Sequence, residues 1–247
     1  SKDTRVEIYH DVNMDVIVAR GVGSELFIAS GASLINTANK LTLNSAEMEV
    51  NGYVYIQKFI VNTNSIVDIN NVLFKTTNQI DVYGIMNVNA SVINIEGGNF
   101  YVRPADGELY LNSGSKIMVF GNFNNEAYTY VCVSCCLESA TGNIQNEATG
   151  VLEGVGALLS NVGNLINDNS VDPNVNWCVA GNSFGMLNSE NCTGTSVICG
   201  ASPLAFNMNR LVARNENNKK VILTWQTDND QSEFTFELLK STDNKNW

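Results

Sequence analysis

The chain has 247 residues, 44% of them hydrophobic, with 25 acidic against 14 basic side chains and a formal charge of -11. That length and composition belong to a folded protein with a sizeable core, and the charge repels phosphate backbones and anionic lipid heads, so nucleic acid is not an expected partner. No uncharged run reaches the roughly 18 residues that a membrane-spanning helix needs, so direct membrane insertion is not expected either.

The opening SKDTRVEIYHDV is polar and charged and carries no signal peptide. In an exported protein it would be the start of the mature form. His10, the single histidine, falls here, outside the repetitive part. Its position removes most nucleophilic triads and imidazole-based metal hydrolases, and it reads as a surface residue. Nucleotide-binding glycine patterns and calcium-roll repeats are absent as well.

Next come three similar phrases, MEVNG, IDVYG and IMVFG, ending at Gly52, Gly84 and Gly121, with a weaker copy ending at Gly21. Their glycines are 31, 32 and 37 residues apart, and each phrase places apolar residues two apart: Met48 and Val50, Ile80 and Val82, Ile117 and Val119. Period-two alternation predicts half-buried strands. Between them lie further strands in LFIASGASLINT, FIVNTNSIVDIN and VINIEGGNFYV. Several short strands per unit, with no helix between them, predict an all-β parallel solenoid, or β-helix, whose coils stack so that each buries its neighbour's apolar row. Eight to ten coils at about 4.8 Å would span roughly 40 Å. A 32-residue unit could be one coil or nearer two, and an antiparallel sandwich of short strands remains the alternative fold.

Asparagine, 37 residues in all, is expected at corners, where it tolerates left-handed backbone and bonds from coil to coil. Aromatics beside the glycine corners, Tyr53, Tyr55, Tyr83 and Phe120, are the candidate ligand face, since exposed rings stack on sugars, although strand aromatics also pack on neighbours. Glu49 and Asp81 hold equivalent places in two phrases and are weighed as a catalytic or calcium pair against a solvated face. No cofactor is expected, calcium being the one candidate. Arg103 and Lys116 are the only basic residues of the repetitive part close to acidic groups, as a polysaccharide lyase would require.

After Glu126 the strands continue through GNIQN and GNLIN, and the solenoid is expected to run to about Cys199. Six cysteines fall in this part: Cys132, Cys135, Cys136, Cys178, Cys192 and Cys199. An even number, clustered, suggests up to three disulfides and an oxidising setting; zinc is the competitor, with no second Cys-x-x-Cys pair or nearby histidine to complete it. Cys135 and Cys136 would point to opposite faces, and the cluster is expected to be tied to the later cysteines, capping the end of the rod.

From Pro203 the style changes to longer strands without glycine corners, dividing the chain into residues 1–202 and 203–247. LVARNENNKKVILTWQT reads as a hairpin and FTFELLKS as a third strand, the start of an immunoglobulin-like or fibronectin type III-like sandwich that would need about 90 to 100 residues. Leu223, Trp225, Thr227, Phe236, Glu237, Lys240, Ser241, Asp243 and Trp247 follow the pattern L-x-W-x-T, then F-E-I-x-[RK]-S-x-D-G-x-x-[FW]; Asp230 stands for the usual Glu and Asn244 for Gly. This run resembles the fibronectin-like module near the end of many proteins exported by type 9 secretion, and NVNWCVAGNSFG resembles the region just before it in adhesin-like members.

The resemblance covers about 45 residues. It implies a secreted or cell-surface protein of a Gram-negative bacterium, linked to adhesion or gliding motility. Its expected partners are surface glycans or matrix components, and the type 9 secretion machinery through a C-terminal sorting domain absent from this sequence. The competing function is an extracellular polysaccharide lyase or hydrolase on the same scaffold, for which fold analogy is the warrant.

Overall fold

The computed structural model describes residues 4–13, 17–104, 106–185, 187, 189–200, 208–216 and 220–227. The chain divides into two compact units, residues 1–205 and 206–247.

The first unit is a parallel β-solenoid of nine coils. Each coil contributes one strand to each of three sheets. Sheet 1 stacks residues 5–8, 25–28, 47–50, 66–69, 85–88, 108–111, 128–131, 151–154 and 170–171. Sheet 2 begins at residues 12–13 and ends at 176–179, and sheet 3 begins at 17–20 and ends at 183–185. Stacked partners lie 18 to 24 residues apart, so a coil is nearer 20 residues than 32. Nine coils at about 4.8 Å make a rod of about 40 Å.

The glycine-ended phrases therefore do not stack on one another. Met48 and Val50 lie on sheet 1, Ile80 and Val82 on sheet 3, Ile117 and Val119 on sheet 2. Met48 stacks between Leu26 and Val67 instead. The phrase recurs because every face makes the same demand, two inward side chains around one outward, followed by a tight corner. At Gly84 that corner has no room for a side chain, since a Cβ would meet the Ser65 carbonyl oxygen at 2.4 Å.

Inward residues form continuous columns. On sheet 3, Phe59, Ile80, Phe100, Phe123, Ile144 and Leu165 are all fully buried and in register. Phe100 and Phe123 touch with ring centroids 5.5 Å apart, within the range where tilted aromatic pairs attract. The next column of the same sheet changes character along the rod: Val61, Val82 and Val102 give way to Asn125, Asn146 and Asn167, also buried. The Asn125 amide donates to Asn146 Oδ1 at 2.7 Å and the Asn146 amide to Asn167 Oδ1 at 2.9 Å. The same amides satisfy carbonyls of Gly150, Val151 and Ser170 that the corners turn inward. A buried carbonyl without a donor is costly, which is why asparagine replaces valine there.

Two more asparagine ladders run outside. Asn70, Asn89 and Asn112 each donate to the asparagine one coil before, beginning at Asn51. At the corner between sheets 2 and 3, the backbone N–H groups of Asn122, Asn143, Asn164 and Asn182 donate to the side-chain oxygen of the preceding corner asparagine at 2.7 to 2.8 Å.

The coils end at Gly185, short of the expected Cys199, and residues 192–200 form a helix, α1 (Cys192–Gly200). Asn191 caps it, accepting the Gly194 N–H at 2.8 Å. CTGTSVICG is poor in helix-favouring residues, so tertiary anchors hold it. Cys178–Cys192 fixes its start and Cys136–Cys199 its end. The helix lies on the outer face of sheet 2 over coils 7 to 9, where Cys136 and Ala157 are buried beneath it. Just before it, Asn191 N–H bonds Trp177 O and Glu190 accepts the Val179 N–H, closing part of the last coil's open edge.

In the second unit, Met208–Glu216 and Lys220–Thr227 pair antiparallel, with Leu211 opposite Trp225. This is the expected hairpin. FTFELLKS and the rest of the module pattern after Thr227 lie outside the described residues.

Candidate functional site

All six cysteines are in disulfides: Cys132–Cys135, Cys136–Cys199 and Cys178–Cys192. Cys135 faces the main core and Cys136 the patch under α1, on opposite sides of the sheet. One of the three bridges joins the first cluster to the later cysteines; the other two are local. No thiolate is left for zinc. Cys178, Glu190 and Cys192 lie close together, but both sulfurs of that group are already joined to each other.

The four aromatics named from the sequence do not share a surface. Tyr53 and Tyr55 are adjacent on the outer face of sheet 2, ring centroids 6.4 Å apart. Tyr83 follows the sheet 3 strand of coil 4, at the corner leading into sheet 1, and Phe120 sits at the corner between sheets 2 and 3, about half exposed. The Lys75 ammonium lies 4.9 Å from the Tyr55 ring centre and pairs with Glu96, which accepts the Tyr55 hydroxyl at 2.7 Å. That ring face is taken.

Glu49 and Asp81 are not equivalent. Glu49 is exposed on sheet 1, whereas Asp81 is 3% exposed on sheet 3. Asp81 Oδ1 accepts from Arg103 at 3.0 and 3.1 Å, and Oδ2 pairs with Lys58 at 2.7 Å and accepts from Gln79 at 2.6 Å. Arg103 also pairs with Glu126 at 3.0 Å and stacks over Tyr101 at 3.9 Å. This network spends its charges on itself. Lys116, the other basic residue weighed for lyase chemistry, is buried under α1, paired with Glu138 at 2.8 Å and donating to Cys199 O at 3.1 Å.

Sheet 1 is different. Its outward column reads Glu49, Asp68, Asn87, Tyr110, Tyr130, Glu153, one residue per coil. The column beside it reads Glu47, Ile66, Ile85, Glu108, Tyr128, Val151. The solenoid thereby gathers Tyr110, Tyr128 and Tyr130 from two neighbouring coils into one aromatic strip, with Tyr110 and Tyr128 ring centroids 5.5 Å apart. The Tyr110 hydroxyl donates to Glu108 at 2.8 Å and that of Tyr128 to Glu153 at 2.9 Å. Among the described residues, no cation lies over these rings. Reading around the glycine phrases missed this strip because its tyrosines are not beside those glycines; the alternation in ELYLN and AYTYV was the available signal.

Burial and the bond to Glu153 push the Tyr128 hydroxyl up to about 12, and burial and Glu96 do the same at Tyr55. A folded pKa above the ordinary value of about 10 means that these groups stabilise the fold fully below pH about 10 and lose that contribution as pH rises through about 12. An absorbance titration of phenolate should show a late class that Tyr55→Phe and Tyr128→Phe together remove. Completion of all ionisation by about pH 11 would contradict the assignment.

No family model, curated protein or solved structure matches the chain.

Proposed function

We propose that this chain is the repetitive part of an adhesin-like protein displayed on, or released from, the outer surface of a Gram-negative cell, and that sheet 1 is the face that meets surface glycans or matrix. The observation that carries the reading is the Tyr110, Tyr128 and Tyr130 strip, in which carboxylates hold the Tyr110 and Tyr128 hydroxyls and, among the described residues, no cation covers a ring. Sugar rings stack on such strips. Three disulfides suit an oxidising exterior, and a stack of rigid coils holds a face at a fixed distance from whatever anchors it.

The resemblance of the residues from Pro203 onward to the type 9 module adds a route of export, with the secretion machinery as a further partner and gliding or adhesion as the setting. Binding to immobilised surface glycans or to cells tests the reading. Tyr128→Ala with Tyr130→Ala is expected to weaken retention at least about tenfold, each lost stacking contact being worth roughly 0.5–1.5 kcal/mol beyond its buried area, while Tyr53→Ala with Tyr55→Ala leaves it near wild type. Release of reducing or unsaturated ends from the same glycans would instead favour the lyase or hydrolase reading.

A further inference from the structure

The net charge is not spread over the molecule. Residues 1–200 hold nineteen acidic and eight basic side chains, whereas residues 201–247 hold six of each. The whole excess of -11 is therefore carried by the solenoid segment and its cap.

Within the solenoid the three faces treat their carboxylates differently. On sheet 3, Asp81 and Glu126 are matched by Lys58 and Arg103, while Glu147 and Asp168, stacked after Glu126 at the strand ends, have no ion pair among the described residues; on sheet 2, Glu96 and Glu138 are matched by Lys75 and Lys116. On sheet 1, Arg5 in the first coil pairs with Glu7 and Glu25. Beyond it, Glu47, Glu49, Asp68, Glu108 and Glu153 have no ion pair among the described residues. Neutral donors bond four of them: Asn51 donates to Glu49, Asn87 to Asp68, Tyr110 to Glu108 and Tyr128 to Glu153. Sheet 1 thus interleaves Ile66, Ile85 and the tyrosines with carboxylates that have no ion pair among the described residues: Glu47 and Glu49 in coil 3, Asp68 in coil 4, Glu108 in coil 6 and Glu153 in coil 8.

A ligand lying along this face meets aromatic rings and carboxylates in alternation, with Glu108 and Glu153 bonded to the tyrosine hydroxyls themselves. An anionic polymer such as a polyuronate would be repelled, and a neutral one would leave the carboxylates partly desolvated without return. A sugar polymer bearing ammonium groups fits both features, stacking its rings on the tyrosines and placing its charges beside Glu47, Glu49, Asp68, Glu108 and Glu153. We infer that sheet 1 binds a polysaccharide carrying free amino groups, of the glucosamine-polymer class. The inference rests on the reading of sheet 1 as the ligand face and specifies its ligand.

The test compares a glucosamine oligomer with its N-acetylated counterpart of the same length, which keeps the ring and loses the charge, and with a polyuronate, all on the 247-residue chain. The glucosamine oligomer should bind about tenfold tighter than the acetylated one at low salt, with the advantage shrinking as salt is raised. Glu47→Gln, Glu49→Gln and Asp68→Asn combined, three exposed or half-exposed substitutions that keep side-chain shape, should weaken binding of the glucosamine oligomer and erase most of that ratio. Tyr128→Ala with Tyr130→Ala should weaken both. Equal or tighter binding of the acetylated oligomer, or a preference for the polyuronate, overturns the inference and leaves the ligand face standing. Binding of none of the three overturns both.

Discussion

Removing the Cys136–Cys199 bridge by double substitution to alanine is expected to cost roughly 4 kcal/mol, because it closes a loop of 63 residues and the unfolded chain regains that freedom. The loss is local in its first consequence. α1 has little helical tendency of its own, and without its far anchor the Lys116 bond to the Cys199 carbonyl and the packing of Ala157 and Leu159 beneath the helix go with it. Hydrogen exchange should then show α1 opening while coils 2 to 6 stay protected, since in a solenoid each coil depends chiefly on its neighbours. The Cys132–Cys135 bridge, with a separation of only 3, is expected to contribute roughly half as much. A denaturant series that reversed this order would mean that α1 is held by something other than the bridge.

Asn146→Ala is the point substitution with the largest expected effect, about 3–5 kcal/mol. The side chain sits in the middle of the interior ladder, accepting from Asn125 and donating to Asn167 and to the carbonyls of Gly150 and Ser170. Truncation leaves a buried donor on one side and buried acceptors on the other, each costing about 1–3 kcal/mol, as well as a void. Against a total stability of about 5–15 kcal/mol, that is enough to fray coils 7 to 9. Asn70→Ala makes the informative control. Asn70 also bonds to asparagines above and below, but in a half-buried outer ladder where water replaces the lost partners, so about 1 kcal/mol or less is expected. Equal losses at the two positions would contradict the distinction between the ladders.

The architecture was legible because alternation of Val, Ile, Leu and Met with polar residues is a direct imprint of a strand with one dry face. The coil length was not, because Gly52, Gly84 and Gly121 look like one repeated position and are three different corners. A truer ruler was present in the same stretch. GNFNN, GNIQN and GNLIN begin at Gly121, Gly142 and Gly163, each 21 residues after the last, and every one places a corner asparagine and, in its final residue, an interior-ladder asparagine. Spacing at that period aligns Asn125 with Asn146 and Asn167, and it would have stacked the coils correctly.

The open question of coil length also scattered the candidate site. With coils of about 20 residues, Tyr110 falls beside Tyr130, whereas Tyr53, Tyr83 and Phe120 fall on different faces. The buried state of Asp81 and Lys116 was beyond reach, since it depends on which partner lies one coil away and on where α1 folds back. Disulfide pairing had the same character. Adjacent Cys135 and Cys136 pointed to opposite sides as strand geometry requires, but the choice of Cys132 and Cys199 as their partners was made by a corner and a helix that the alternation does not encode.

Hydroxyl-radical footprinting of the tyrosines, with and without bound glycan matrix, distinguishes sheet 1, the proposed ligand face, from the other two faces of the solenoid. Protection of Tyr110, Tyr128 and Tyr130, with Tyr53 and Tyr55 as reactive as in the free protein, is the predicted result; protection of Tyr53 and Tyr55 with the sheet 1 tyrosines unchanged would contradict it.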